Sequence, residues 1–160
     1  MDAFQIVLIK GLQMASLVVQ FEAEFMPLFQ AALTDALEHE VSDAVVNILK
    51  ESAMDNIYSR YTPHGENPYQ RRMSFIHDES YETSVQGNVL TVKENVTGQG
   101  LAGDRLGEII EAGTPYEWTR SDIYKNQPFP RPFFSSSLED GINNGTIEAA
   151  LKRGLERQGF

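Results

Sequence analysis

The chain has 160 residues, of which 41% are hydrophobic, and it contains no cysteine. This length fits a single domain over residues 1–160, and the composition is that of a globular protein. Thirteen Lys and Arg residues against 23 Asp and Glu give a formal charge of -10, which argues against nucleic-acid binding through a basic face. The lack of cysteine excludes disulfides, cysteine-ligated zinc and cysteine nucleophiles.

The N-terminal half predicts a strand followed by helices. Residues 4–9 are rich in β-formers, residues 12–25 have a helical pattern, and Pro27 suits the first turn of a new helix. From residue 28 to about residue 60, apolar residues recur at three- and four-residue steps, which predicts a long amphipathic helix that packs against a sheet. Asp2 argues against a signal peptide, and the apolar runs are too short to span a bilayer, so we expect a protein made in a cytoplasm and not bound to membranes.

The second half alternates between strand and turn patterns. A loop over residues 61–69 precedes predicted strands at 73–78, 81–85 and 89–96, with Gly87 and Asn88 in a hairpin turn. A glycine-rich loop at 97–103 and a short helix or strand at 106–112 follow. Residues 114–134 are predicted to form an extended loop or arm, and a last helix is predicted from Phe133 or Ser137 towards residue 157, weakened at Gly141 and Gly145.

These elements predict an α+β fold. We expect a small antiparallel sheet, a long amphipathic helix packed across it and a C-terminal helix.

A glycine motif and a histidine motif each match only part of a known signature. Residues 98–103 read G-x-G-x-x-G, but the helix and second parallel strand that a dinucleotide site needs do not follow. His39 and Glu40 begin an H-E-x-x-H metalloprotease helix, but its fifth residue is Asp43, so the zinc pair is incomplete. We therefore predict no bound cofactor and no metal site.

Serine and histidine residues also fall short of a catalytic pattern. Ser136 and Ser137 lack the G-x-S-x-G turn that exposes a nucleophile, and either serine is expected to cap the last helix. His77 and Asp78 with Glu79 could serve a small hydrolase, but adjacent residues of a strand point to opposite faces of the sheet. We predict that the protein is not an enzyme and keep this hydrolase as the less favoured alternative.

Arginine and aromatic residues mark two candidate subunit contacts. Arg71 and Arg72 follow Tyr69, and they either lie in solvent or pair with carboxylates of a neighbouring subunit. In the arm, prolines hold the chain extended beside side chains typical of interfaces. Phe133 and Phe134 could instead begin the last helix and fill the core of their own domain. The predicted arm contacts are Phe129, Pro130, Arg131, Phe133 and Phe134.

The order of several short motifs resembles the head–tail joining, or tail-completion, family of long-tailed bacteriophages. The best match pairs Glu111-Ala112-Gly113-Thr114 with Arg131-Pro132-Phe133. The other matching segments are Ile9-Lys10-Gly11-Leu12, Thr62-Pro63, Tyr69-Gln70-Arg71-Arg72, the hairpin at Gly87-Asn88 and Ala149-Ala150-Leu151-Lys152-Arg153.

This resemblance implies a structural virion protein without enzyme activity or cofactor. It implies a homo-oligomeric ring, for which we expect a hexamer, at the neck or tail end of the virion. The ring would contact neighbouring phage neck and tail proteins, and DNA would pass through it without sequence-specific binding, which an acidic lumen would favour by repelling phosphates. The alternative from another class is a cytosolic adaptor that binds its partner without forming a ring.

Overall fold

The computed structural model describes residues 22–60, 73–96, 106–113 and 130–160. The predicted strand at 4–9, the loops at 61–69 and 97–103, and most of the arm lie outside these ranges. Helix α1 covers residues 22–58. The remaining elements are β1 (Tyr81–Gln86), β2 (Val89–Glu94), α2 (Leu106–Ala112), α3 (Phe133–Asn143) and α4 (Thr146–Arg157).

Helix α1 confirms the prediction of a long amphipathic helix from residue 28 to about residue 60. Its middle section, Ser42–Ala53, is regular α-helix and is flanked by π-helical turns at Leu37–Val41 and Met54–Tyr58. Val45, Leu49 and Ala53 are buried at four-residue spacing, as expected for the apolar stripe of a helix that faces a core. The helix packs against both the β-hairpin and the C-terminal helices, so the predicted sheet is only part of its partner surface.

Pro27 lies within helical residues 22–36 and does not begin a new helix. The predicted helix start at Pro27 is wrong, although proline lacks the N–H that would donate one hydrogen bond inside the helix. Ala23 and Pro27 are both exposed, so solvent can hydrate the Ala23 carbonyl group, which would otherwise accept an N–H from residue 27. The helix therefore continues through Pro27.

Strands β1 and β2 form the predicted antiparallel hairpin. Tyr81 lies opposite Glu94 and Gln86 lies opposite Val89. Gly87 has a φ of 60° in the connecting turn, a conformation that glycine adopts without steric cost. One face of the hairpin, including Leu90 and Val92, packs against α1.

The predicted strand at 73–78 is instead a pair of short 3₁₀ turns, Ser74–Ile76 and Asp78–Ser80. Tertiary hydrogen bonds hold this segment. Tyr58 Oη accepts the N–H of Phe75 at 3.0 Å, and Tyr81 Oη donates to the Phe75 carbonyl oxygen at 2.9 Å. Burial and the nearby Glu94 carboxylate raise the pKa of Tyr81, so its hydroxyl stays protonated and able to donate.

The C-terminal region forms two helices where we predicted one weakened helix. Helix α3 ends at Asn143 and α4 begins at Thr146. Gly145 between them has a left-handed φ of 75°, and the Asn144 side-chain oxygen accepts the N–H of Thr146 at 2.9 Å. Gly145, predicted to weaken a single helix, therefore lies in the turn between two helices.

The described residues bury apolar side chains in two clusters, and Phe134 packs against both of them. Phe75, Ile110 and Phe133 belong to one cluster, while Leu49 and Tyr81 belong to the other. The predicted α+β class is confirmed. Among the described residues, no helix is both long enough and apolar enough to cross a membrane.

Candidate subunit interface

The two ends of the arm meet at one place, which we call the arm root and define as residues 110–113 and 130–135. The N–H of Arg131 donates to the Ile110 carbonyl oxygen at 3.0 Å. The Glu111 carboxylate accepts the N–H of Phe134 at 2.9 Å and that of Ser135 at 3.0 Å. It also accepts the Ser135 hydroxyl at 2.5 Å. Ile110 and Glu111 are therefore hydrogen-bonded to residues 131–135, on the other side of the arm.

Glu111 acts as the N-terminal cap of α3. The first turn of a helix has N–H groups without intrahelical acceptors, and a negative charge there also interacts favourably with the helix dipole. Pro132, at the cap position, makes no side-chain capping bond. The carboxylate of α2 supplies the missing acceptor, so the Glu111-containing motif and the Arg131-Pro132-Phe133 motif are in direct contact.

Ser136 and Ser137 do not cap α3, contrary to the prediction, because the helix already begins at Phe133. Their hydroxyls turn back to carbonyl oxygens instead. Ser136 Oγ donates to Pro132, and Ser137 Oγ donates to Phe134 at 2.8 Å. The sequence suggested a serine cap because serine is common at that position, whereas the actual cap comes from another helix.

The predicted contact residues of the arm have different environments. Phe133 is 1% exposed and packs edge-to-face on Phe75, with ring centroids 5.1 Å apart. Phe134 and Arg131 are half-buried, whereas Pro130 is exposed. Phe133 therefore fills the core of its own domain, and Pro130 remains available to a neighbour. The other predicted contacts, Tyr69, Arg71, Arg72 and Phe129, lie outside the described residues.

His77 lies between the two 3₁₀ turns and Asp78 begins the second, so they do not lie on opposite faces of a strand. Both are exposed, as is Glu79. Asp78 is held by Lys50 of α1 across 2.6 Å, an ion pair that fastens these turns to the long helix. Within the part of the chain that the structure describes, no three His, Asp or Glu side chains are grouped so as to hold a metal ion.

The His39–Glu40 pair has structural contacts on α1. His39 Nδ1 lies 3.0 Å from the Asp35 carbonyl oxygen, one helical turn away, at the start of the π-helical turn. Glu40 pairs with Arg157 of α4, with 2.7 Å between Oε1 and Nε, and Arg157 also pairs with Asp35. These contacts join the end of α4 to α1.

The solvent side of α1 is acidic. Its exposed carboxylates include Glu38, Asp43, Glu51 and Asp55. Lys50 on the same helix is already paired with Asp78. Because like charges repel, this side of the helix disfavours the approach of a phosphate backbone.

Glu94 is a half-buried carboxyl group that the sequence did not single out. Its Oε1 accepts the N–H of Val96 at 2.5 Å, and its side chain reaches the backbone of Gly107 in α2. Burial raises the pKa of Glu94 above the ordinary value of 4.5, and the Glu108 carboxylate adds to the increase. The carboxyl group of Glu94 therefore joins the end of β2 to α2.

We predict that replacing Glu94 with Gln removes part of the pH dependence of stability. Because the folded-state pKa of Glu94 is raised, its contribution is fully present below the unfolded-state value and is lost as pH rises through the folded-state value. The wild type should therefore lose stability relative to Glu94→Gln as pH rises above 4.5. Urea denaturation at a series of pH values measures the difference. Glu82→Gln, on the exposed side of β1, is the control, and parallel curves for both variants would contradict the prediction.

Comparison with known proteins identifies the family to which the chain belongs. The family model for YomN matches residues 20–157, which is most of the chain. No curated protein and no solved structure gives a significant match. The matching family is phage-associated, as the sequence motifs implied, but it is not the head–tail joining family that those motifs resemble.

Proposed function

We propose that this chain, which belongs to the phage-associated YomN family, is a structural virion protein that forms a ring at the phage neck or tail end. The ring joins head and tail around the DNA channel. Each subunit docks its arm on the next copy, and the assembled ring contacts neighbouring neck and tail proteins.

The observation that carries this proposal is the closed arm root. Ile110 and Glu111 bind the backbone of Arg131, Phe134 and Ser135, so the arm begins and ends at one point of a packed domain. A loop that is closed at its base can carry a contact surface without contributing to the core. The arm is rich in aromatic residues and proline, a composition that suits contact with another protein.

The acidic side of α1 supports the placement around DNA. Exposed carboxylates such as Asp43, Glu51 and Asp55 would repel phosphates if this side of the helix faced the channel. The formal charge of -10 also disfavours tight, nonspecific DNA binding, which depends on basic residues that displace counterions. DNA could then move past the ring without being held.

The state of assembly tests the proposal. We expect light scattering after size-exclusion chromatography, together with negative-stain imaging, to show a ring when the protein is mixed with its neck and tail partners. Monomers from the isolated protein would be compatible with the proposal, because binding to a partner can drive assembly. Monomers in the presence of those partners would contradict it, and a complex with a single copy would favour the adaptor.

A paired substitution tests the predicted arginine contact. We expect Arg71→Ala with Arg72→Ala to reduce ring formation, since arginine at an interface can form bidentate bonds to carboxylates. Lys152→Ala with Arg153→Ala is the matched control, because this adjacent basic pair is exposed on α4. Both double variants should stay folded by circular dichroism. Equal assembly of the two would remove Arg71 and Arg72 from the interface.

A further inference from the structure

The β-hairpin has two open edges within the part of the chain that the structure describes. Its sheet consists of β1 and β2, which pair without a bulge from one end to the other. Consecutive residues 82–84 of β1 are exposed, and so is every second residue of β2 from 89 to 93. Neither strand contains the proline that often blocks the edge of a sheet. Each edge can therefore accept a further strand.

The hairpin turn determines which backbone groups point to these edges. Gly87 has a φ of 60° and the φ of Asn88 is not positive, as in a two-residue type II′ turn. In such a hairpin the closing pair, Gln86 and Val89, exchanges two backbone hydrogen bonds, and bonded pairs then alternate with unbonded ones. The residues whose N–H and C=O groups point outward are therefore Tyr81, Thr83 and Val85 on β1, and Leu90, Val92 and Glu94 on β2.

The two edges carry opposite charges on the same face of the hairpin. Glu82 of β1 lies opposite Lys93 of β2 in the register, and both are exposed, on the face turned away from α1. The Glu82 carboxylate accepts a hydrogen bond from the Asn95 side-chain amide at 3.4 Å. Lys93 forms no ion pair with another described residue. The edge of β2 thus offers an ammonium group, and the edge of β1 offers a carboxylate.

We propose that the β2 edge of one copy of this chain pairs with the β1 edge of a second copy, so that their hairpins form one antiparallel sheet. When the register between copies repeats the register within the hairpin, Val92 of one copy bonds to Thr83 of the next, and no side chain changes face. Glu82 of the second copy then lies opposite Lys93 in a pair without backbone hydrogen bonds. In such pairs the opposing side chains come closest.

This contact is heterologous, because each copy uses a different edge towards each of its two neighbours. Heterologous contacts close into a ring when the rotation between copies allows it, and they otherwise produce open chains. Backbone bonds along the strands supply affinity, while the charged pair selects the edge and the register. The place of this contact in a neck or tail ring rests on the proposed function, whereas the pairing of two copies does not.

Charge reversal at either edge tests the pairing. We expect Glu82→Lys and Lys93→Glu each to raise the dissociation constant of self-association about tenfold, because opposite charges across the strand pair become like charges. Sedimentation velocity over a concentration series measures this constant. Glu139→Lys makes the same change of charge at an exposed position of α3 and should associate like the wild type. A wild type that stays monomeric throughout the series would overturn the proposal.

Mixing the two reversed variants distinguishes a contact between copies from damage within one hairpin. Each variant also places like charges opposite each other inside its own hairpin, and mixing cannot relieve that repulsion. Every contact between unlike copies in the mixture again joins opposite charges. We therefore expect an equimolar mixture of Glu82→Lys and Lys93→Glu to recover most of the wild-type association. A mixture no tighter than its separate components would overturn the edge contact.

Negative-stain imaging of the same proteins separates this inference from the ring proposal. Recovery in the mixture together with rings supports both. Recovery with open chains or pairs of copies, even beside the neck and tail partners, supports the edge contact and contradicts the ring. Rings that form equally well from Glu82→Lys alone support the ring and overturn the edge contact.

Discussion

Phe133→Ala should lower the free energy of unfolding by about 3–5 kcal/mol, the usual cost of truncating a buried phenylalanine. The Phe133 side chain is 1% exposed, so its removal leaves a cavity at the junction of α1, α3 and the 3₁₀ turns. Its edge-to-face contacts with Phe75 and Phe134, at centroid distances of 5.1 and 5.8 Å, are lost as well. Urea denaturation measures the change.

Leu138→Ala is the control for this substitution. Leu138 lies on the same helix but is 42% exposed, so its truncation should change stability by no more than about 0.5 kcal/mol. Similar losses for the two variants would show that Phe133 is not the anchor of α3. A loss confined to Phe133→Ala would confirm that the arm ends on a core residue.

Gly154→Val should have the next largest effect on folding, about 1–3 kcal/mol, because it overpacks a close contact between helices. A Cβ added at Gly154 would lie 2.9 Å from the Cα of Ala36. Both residues are buried where α4 packs against α1. Rotating a side chain does not relieve a clash with backbone, so the two helices must move apart. Thermal or urea denaturation measures the loss.

Ala149→Val tests whether the valine itself is responsible. Ala149 is exposed on the same helix, and valine there should cost only a few tenths of a kcal/mol through its helix propensity. Adding Ala36→Gly to Gly154→Val should recover part of the loss, because the two side chains would otherwise compete for one space. Close packing of α4 on α1 at Gly154 would be contradicted if Gly154→Val and Ala149→Val lost equal stability and if Ala36→Gly recovered none of the loss.

The sequence alone determined the elements whose signal is local. The sequence correctly predicted the amphipathic helix α1, the two strands of the hairpin and its glycine turn. Short segments suffice for this, because apolar periodicity and turn residues are local features of the sequence. The excess of acidic residues likewise indicated a surface that repels phosphate, and the exposed acidic side of α1 agrees with it. The phage association also came from short motifs in sequence, and the YomN match supports it.

Only the tertiary structure decided the features that depend on distant residues. The strand pattern at 73–78 became 3₁₀ turns, because the hydroxyls of Tyr58 and Tyr81 hold the backbone of Phe75. The predicted serine cap of the last helix was replaced by Glu111 of α2. For Phe133 the sequence left open a subunit contact or a place in the core, and the structure buries its side chain in the core. In each case the deciding partner lies many residues away, and local propensity contains no information about which groups folding will bring together.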